Sequence, residues 1–381
     1  MRSVYLTSDN IISSLGFTSL ENFNHLKNGV SGVACVNDPE ILSVPFYASR
    51  VSDEKLNTAF ATVSDSEAYT RLEKMFITSI ASAVDKSEVD PRSPKVLFLI
   101  STTKGNIDLL HPQSPKFGPE RLKLAVMASK ISGFFGNPNE PVVLSNACIS
   151  GAMAILVGKR FIESGAYDSV IVSGGDLVSE FTVSGFYSFK ALGTSACKPY
   201  DESRDGISLG EGCGTVILSS RDSDLESKAK VVSGAVSNDA NHISGPSRTG
   251  EGLNIAITKA LKAAVSVKKE DIGYVSAHGT ATLYNDEMEA KAFASSGLDA
   301  VPLNSLKGYF GHTLGAAGVI ESIMAVWSMI NNTLIPSIGY NNCGTSVPLN
   351  IIRESSSVTY DSCLKTASGF GGCNVAVVFS K

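Results

Sequence analysis

Short apolar runs alternate with helix-period patterns along the whole chain, and this alternation constrains the fold more than any other feature. Residues 4–6, 96–100, 142–144, 170–173, 215–218, 231–232, 274–277 and 375–379 have the length and content of strands. Between them, apolar residues recur at helical spacing over 70–85, 120–135, 151–164, 250–265 and 315–331. Strands alternating with helices predict an α/β fold. The chain has 381 residues, enough for two or three domains or one large double-layered unit. Its 43% apolar content supplies a large core, its 18% charged content is low for a disordered chain, and its 34 glycines suit many tight strand–helix turns.

Several function classes are excluded on composition. A net charge of −5, with no Lys/Arg cluster, argues against a nucleic-acid binder. The strongly apolar stretches are short, and the longest apolar helical pattern carries Glu321, so no membrane span is predicted. The opening residues lack the apolar core of a signal peptide. Seven cysteines, an odd number without a C-x-x-C pair, predict neither a disulfide framework nor a zinc site. A reducing cytoplasm is the expected compartment. Prolines at 91, 94, 112, 115 and 119 mark surface loops over 87–94 and 102–120. The polar stretch from Ser220 to Lys230 is the expected boundary, dividing the chain into residues 1–225 and 226–381.

Three reactive side chains sit in distinctive surroundings. Cys148 follows the apolar run Val142–Leu144 and small residues, and precedes the helical pattern from Ala152. A strand, a sharp turn and a helix would place its thiol at a helix N-terminus, where unpaired N–H groups favour thiolate. A free cysteine is more often a small buried hydrophobe, so Cys148 alone decides nothing. His278 ends the strand-like run 274–277 at a turn fixed by Gly279. His312 stands between glycines and opens the helical pattern 315–331. A weak duplication accompanies them. Each half has a strand ending in small polar residues (Ser101-Thr102; Ser276-Ala-His278), then a small-residue turn opening a helix beside Cys148 or His312.

These segments resemble the beta-ketoacyl-acyl-carrier-protein synthases, the elongating condensing enzymes of fatty acid and polyketide synthesis. The resemblance rests on Asn146-Ala-Cys148, His278-Gly-Thr-Ala-Thr282 and Lys307-Gly-Tyr-Phe-Gly-His312. It extends through Pro199-Tyr-Asp201, Arg204-Asp-Gly206, Gly210-Glu-Gly-Cys-Gly214, Asp239-Ala-Asn-His242 and Gly369-Phe-Gly-Gly372, in order over nearly the whole chain. It implies a thiolase-type fold, two related α/β halves in a five-layer α-β-α-β-α arrangement. It implies that Cys148 carries the acyl group, with the backbone N–H groups of Cys148 and Phe370 as oxyanion donors and the Phe370 ring as a gate. It implies that His278 and His312, as neutral imidazoles, stabilise the enolate formed when malonyl thioester loses carbon dioxide. Lys307 would hold both rings neutral, paired with one of the two acids Asp286 and Glu289, by expectation Glu289. Thr280 and Thr282 would bind the pantetheine arm, and Lys130 and Lys198 the acidic acyl carrier protein. No cofactor and no metal are expected.

Two departures stand out. Ser368 replaces the first Phe of the usual Phe-Gly-Phe-Gly-Gly loop, which would widen the mouth or alter the swing of the loop. Cys213 stands where Ala is common, and is expected to be packing, as are Cys197, Cys343, Cys363 and Cys373. A starter enzyme using coenzyme A thioesters would carry Asn in place of His312. A thiolase would need Cys373 as a second catalytic thiol. A chain-length-determining subunit of a heterodimer would lose the nucleophile, which is present here. The expected protein is therefore a dimeric acyltransferase, with a heterodimeric partnership as the alternative, and its product class is either fatty acid or a specialised polyketide of the aryl-polyene type.

Overall fold

The apolar runs become strands of one mixed sheet in a computed structural model that describes residues 2–110, 117–220 and 229–381. Most of the expected boundary stretch, and Pro112 and Pro115 of the expected loop, lie outside the described residues. The first five strands are β1 (Tyr5–Ile12), β2 (Val96–Ser101), β3 (Val142–Leu144), β4 (Ser169–Asp176) and β5 (Gly212–Ser219). The next five are β6 (Ala229–Asn238), β7 (Ile272–Ser276), β8 (Leu303–Asn304), β9 (Ser362–Gly369) and β10 (Cys373–Ser380). The ten strands run in the order β8-β7-β9-β10-β6-β1-β5-β4-β2-β3.

That order is one motif used twice. In the first half β2 is parallel to β3 and β4, β4 is antiparallel to β5, and β5 is antiparallel to β1. In the second half β7, β8, β9, β10 and β6 repeat the same relations. The halves join where β1 pairs with β6 through Tyr5–Lys230 and Leu6–Ala229. The helices repeat as well. Here α1 (Arg71–Asp85), α2 (Leu124–Phe134) and α3 (Ser150–Glu163) correspond to α5 (Glu251–Ala263), α6 (Leu283–Ser296) and α7 (Ala317–Ile330), with α4 (Glu180–Ser188) lying between β4 and β5.

Three apolar clusters show the layering. One lies between α1 and α2 and the outer face of the first half-sheet. Another lies under α5 and α6 on the second half-sheet. The largest surrounds α3 and α7, which fill the middle layer and touch strands of both halves. This is the five-layer arrangement that the resemblance implies. Because both faces are covered, β2 is buried at every position, which is why it reads as an unbroken apolar run.

Two glycines let the middle helices meet. A Cβ on Gly151 would lie 2.7 Å from the Val319 nitrogen, and one on Gly318 would lie 2.2 Å from the Ala152 nitrogen. The helices therefore touch backbone to backbone at their N-terminal ends. The residues just ahead of each helix, Cys148 and His312, are brought to the same place. Among the described residues, no helix is long and apolar enough to cross a membrane.

Candidate active site

The nucleophile candidate sits on a tight turn. β3 ends at Leu144, Ala147 adopts φ +45°, and α3 begins at Ser150. A left-handed φ at a non-glycine residue is strained and persists only where its surroundings hold it. The hold comes from Ser150, whose Oγ donates to Ala147 O (2.6 Å) and accepts from the Asn146 N–H (2.8 Å). Cys148 is 8% exposed. The expectation of a resting thiolate is not met. Burial pushes the Cys148 thiol up to about 12, and the Lys307 charge and the Phe370 N–H pull only partly against it. The first helical residue of α3 is two positions further on, and desolvation of the enclosed sulfur outweighs the helix terminus.

Both histidines are buried and face each other, with ring centroids 5.1 Å apart at 85°. His278 reaches its place at the end of β7. Its Nδ1 lies 3.2 Å from Lys307 Nζ, which also donates to the His278 carbonyl at 2.6 Å. His312 is fixed by backbone bonds to the segment of the Gly210-Glu-Gly motif: its N–H donates to Ser208 O (2.7 Å), and its carbonyl accepts from the Gly210 N–H (2.9 Å). Its Nδ1 accepts from the Leu314 N–H at 3.0 Å. With both Nδ1 atoms facing donors, each neutral ring carries its proton on Nε2. The Nε2 of His312 has no hydrogen-bond partner among the described residues. Burial, first, and then the Lys307 charge hold both imidazoles well below the ordinary histidine range. A nitrogen of each ring and the Cys148 sulfur lie within 4.8 Å of one another. That spacing could bridge a metal, but metal ligation needs a lone pair on each Nε2, and these tautomers present N–H donors instead. The donor set does not fit a metal.

The partner expected for Lys307 is corrected. Lys307 pairs with Glu321 of α7, Nζ to Oε1 2.7 Å, and not with Glu289. Glu289 instead accepts from the His278 N–H (2.8 Å), the Gly279 N–H (2.6 Å) and the Tyr200 hydroxyl (3.0 Å). Asp286 accepts from the Thr280 N–H (2.9 Å) and the Tyr200 N–H (2.7 Å). The acidic pair thus clamps the loop after β7 through its backbone. Sequence reasoning missed Glu321 as a partner, and missed Asp176. Asp176 accepts from Thr102 Oγ1 (2.7 Å), the Thr103 N–H (2.8 Å) and the Gly315 N–H (2.7 Å), tying the end of β2 to the turn after His312. It missed the fully buried Lys365 on β9 too. Two signals were present in the sequence: an acid in a helical pattern that is otherwise uncharged, and a lysine four residues before the glycine-rich loop.

A cavity of about 390 Å³ opens onto Cys148, His278 and His312. Thr280 and Thr282 line it with their hydroxyls 2.8 Å apart. Phe370 stands at its rim, 37% exposed, stacked on Phe186 (5.7 Å, 28°) and edge-on to Phe189 (5.7 Å, 77°). A Cβ on Gly369 would lie 2.9 Å from the Cys148 nitrogen, so this glycine keeps that N–H uncovered. Ser368 also lines the cavity, and its hydroxyl donates to Asn374 Oδ1 at 2.7 Å. Lys130 is exposed on α2, and Lys198 is half-buried with its side chain against Gly339. Neither lines the cavity; the exposed Lys190 does. All seven cysteines are free, and Cys343, expected as packing, is exposed along with Cys35.

Comparison with known proteins agrees with this geometry. Residues 2–224 match the family model "Beta-ketoacyl synthase, N-terminal domain", and residues 228–341 match "Beta-ketoacyl synthase, C-terminal domain". The 3-oxoacyl-[acyl-carrier-protein] synthase 2 of Vibrio cholerae is 33% identical over 70% of this chain and 68% of its own length. The protein of the same name from Vibrio harveyi is 27% identical over 100% of this chain and 99% of its own. Among solved structures, the ishigamide ketosynthase/chain length factor superimposes with a TM-score of 0.90 at 26% identity, covering 100% of this chain and 99% of that one.

Proposed function

The chain belongs to the beta-ketoacyl synthase family, and from that membership we propose that it joins an acyl group held on Cys148 to malonyl-acyl carrier protein with loss of carbon dioxide, giving 3-oxoacyl-acyl carrier protein. One observation carries this reading: a thiol and two neutral imidazoles, each ring with its proton on Nε2, converge within 4.8 Å at one cavity. Condensation of this kind needs one acyl carrier and one pair of fixed N–H donors, and this set provides both.

The chemistry runs in two halves. In the first, the Cys148 sulfur attacks the acyl thioester. A C–S bond forms, the bond to the carrier sulfur breaks, and the thiol proton ends on the departing carrier. The oxyanion is held by the N–H groups of Cys148 and Phe370. In the second, malonyl thioester enters the emptied arm of the cavity, past the Thr280 and Thr282 hydroxyls. Its carboxyl C–C bond breaks, carbon dioxide leaves, and the negative charge moves to the thioester oxygen. The Nε2–H groups of His278 and His312 stabilise that charge. The carbanion carbon then attacks the acyl-Cys148 carbonyl, a C–C bond forms, and the Cys148 sulfur is released to take up a proton. Protein groups supply every role, so the reaction is read as cofactor-free, with pantetheine arriving on the carrier.

The catalytic unit spans both halves, residues 1–225 supplying Cys148 and residues 226–381 the histidines, Lys307 and Phe370. A dimer in the cytoplasm is the working assembly in this reading. A second reading, a subunit of a heterodimer that sets chain length, draws support from the ketosynthase/chain length factor neighbour. The complete set Cys148, His278, His312 and Lys307 favours an active subunit. The test is intact-mass spectrometry of the protein incubated with a panel of acyl carrier proteins. An acyl adduct on Cys148, followed by 3-oxoacyl product on adding malonyl carrier, is the expected result. No adduct with any carrier, alone or with a related partner subunit, overturns the reading.

A further inference from the structure

Lys365 is a buried ion that the chemistry above leaves unused. It lies on β9, beside Ser276 of β7 in the sheet register, and is fully buried. Its Nζ stands 2.6 Å from Glu321 Oε2 and donates to the carbonyls of Ser276 (3.3 Å) and Ala277 (3.2 Å), the two residues that lead into His278. Glu321 gives its other oxygen to Lys307. One carboxylate therefore serves two ammonium groups.

Counting charges shows what the second ammonium changes. Lys307 and Glu321 alone make a neutral pair. With Lys365 the trio carries two positive charges and one negative, a net +1, in the low-dielectric interior beside two imidazoles. Filling space does not require this. A buried ion pair is commonly replaced by apolar residues without loss of stability, whereas a buried ammonium must be fully paired. The other carboxyls in this region are held by groups other than the two ammoniums, Asp286 lying 3.8 Å from Arg204 as well. Glu289 and Asp286 on α6, and Asp176 at the end of β4, are each engaged by backbone N–H groups. Burial raises the pKa of all three, Glu289 to about 7, and lowers that of Lys365 against the pull of Glu321; the three acceptors around the Lys365 Nζ are the surroundings of an ammonium.

We propose that Lys365 is a positioning residue for the condensation, sharing Glu321 with Lys307 so that the buried trio stays net positive beside His278 and His312. The inference rests on the reaction proposed above. The excess charge has two consequences. It opposes protonation of either imidazole, which keeps both as N–H donors with neutral rings. It also favours the negative charge that develops on the enolate oxygen. The bonds from Lys365 to Ser276 and Ala277 further fix the strand end that aims His278. Both imidazoles are held below the ordinary histidine range, with the Lys365 charge contributing at each.

The test compares Lys365→Met with the charge-matched pair Lys365→Met/Glu321→Gln. The first lowers the trio by one positive charge; the second restores +1 on Lys307. Histidine NMR titration of the resting protein reads the effect without turnover. In Lys365→Met the titrations of His278 and His312 are expected to rise by roughly one pH unit, and in the double variant to return towards the unsubstituted protein. Malonyl-carrier decarboxylation should follow. Its acid limb should move to higher pH in the single variant, with the rate on that limb falling about tenfold, while acyl loading of Cys148 changes less than about twofold. Imidazole titrations that stay put in a folded Lys365→Met protein, or a double variant displaced as far as the single, overturn the proposal. If the single variant does not fold, the double decides: titrations like those of the unsubstituted protein support the proposal, and displaced ones overturn it. Failure of the underlying reading looks different, because the unsubstituted protein would then not decarboxylate malonyl carrier while the imidazole titrations still shifted.

Discussion

His278 and His312 are fixed donors because their outer nitrogens already face donors. Lys307 occupies one Nδ1 and the Leu314 N–H the other, which leaves a single tautomer for each ring. Replacing His312 with Ala should cut malonyl decarboxylation about a hundredfold or more, the usual cost of one oxyanion-type donor, and leave acyl loading nearly intact. Assays that follow carbon dioxide release and Cys148 loading separately would check this; loading lost first would contradict the assignment. The pH dependence follows from the direction of the shifts. Both imidazoles are depressed, so they are already neutral at the ordinary histidine midpoint of 6.5, and decarboxylation should show no histidine limb from about pH 6 to 8; a change that Glu289→Gln removes would belong instead to Glu289, raised to about 7 where it holds the His278 N–H. A limb centred at the ordinary value would mean open, solvated rings. Cys148→Ala should abolish condensation and spare decarboxylation, read by product analysis against carbon dioxide release. Cys148 and both histidines were legible in the sequence because each stands among glycines and small residues at an element end, whereas Lys307 was reached only through the family resemblance. Glu321 was not recognised as the partner of Lys307, since it follows Lys307 by 14 positions inside a buried helix. There it read only as an interruption of an apolar pattern.

At the scale of elements, the site depends on how closely α3 and α7 approach. Gly318 presses on the Ala152 nitrogen, and Gly151 on the Val319 nitrogen. Gly318→Ala has no flexible side chain to displace, so the helices must separate. The expected result is a loss of roughly 1–3 kcal/mol in denaturant unfolding, typical of overpacking, together with slower transfer from acyl-Cys148 to the malonyl-derived carbanion, because Cys148 and His312 ride on the two helix ends. Unchanged stability and unchanged condensation would show that the contact is slack. Most elements were legible because their apolar runs survive burial on both faces. β9 was not, since Ser362-Cys-Leu-Lys-Thr-Ala-Ser-Gly369 carries polar residues where its neighbours carry valine and isoleucine. Those polar residues work inside the protein: Lys365 serves Glu321, and Ser368 serves Asn374. A strand that supplies such groups loses the pattern by which strands are recognised.

The whole molecule is a duplicated unit whose two copies have diverged at equivalent places. The turn that precedes α3 bears the thiol, and the turn that precedes α7 bears an imidazole, so the two groups meet only where the halves join. In the proposed reaction the cavity between them takes the pantetheine arm of an acidic carrier docked at its mouth, although this chain is itself acidic, with a net charge of −5. Local basic groups have to overcome that repulsion during encounter. Lys190 is exposed at the cavity rim, Lys130 is exposed on α2, and Lys198 is half-buried against Gly339. Steering charges act chiefly on association and are screened by salt over about 8–10 Å. Reversing Lys130 and Lys198 to Glu should therefore raise the KM for acyl carrier protein several-fold and flatten its salt dependence, and reversing Lys190 should add to the effect. Turnover of a small pantetheine thioester, which carries no acidic surface, should stay nearly constant in every variant. An equal loss with both substrates would assign these lysines to folding or to the cavity wall, with Lys198 the first suspect because its stem packs on Gly339, and would move carrier docking to another face.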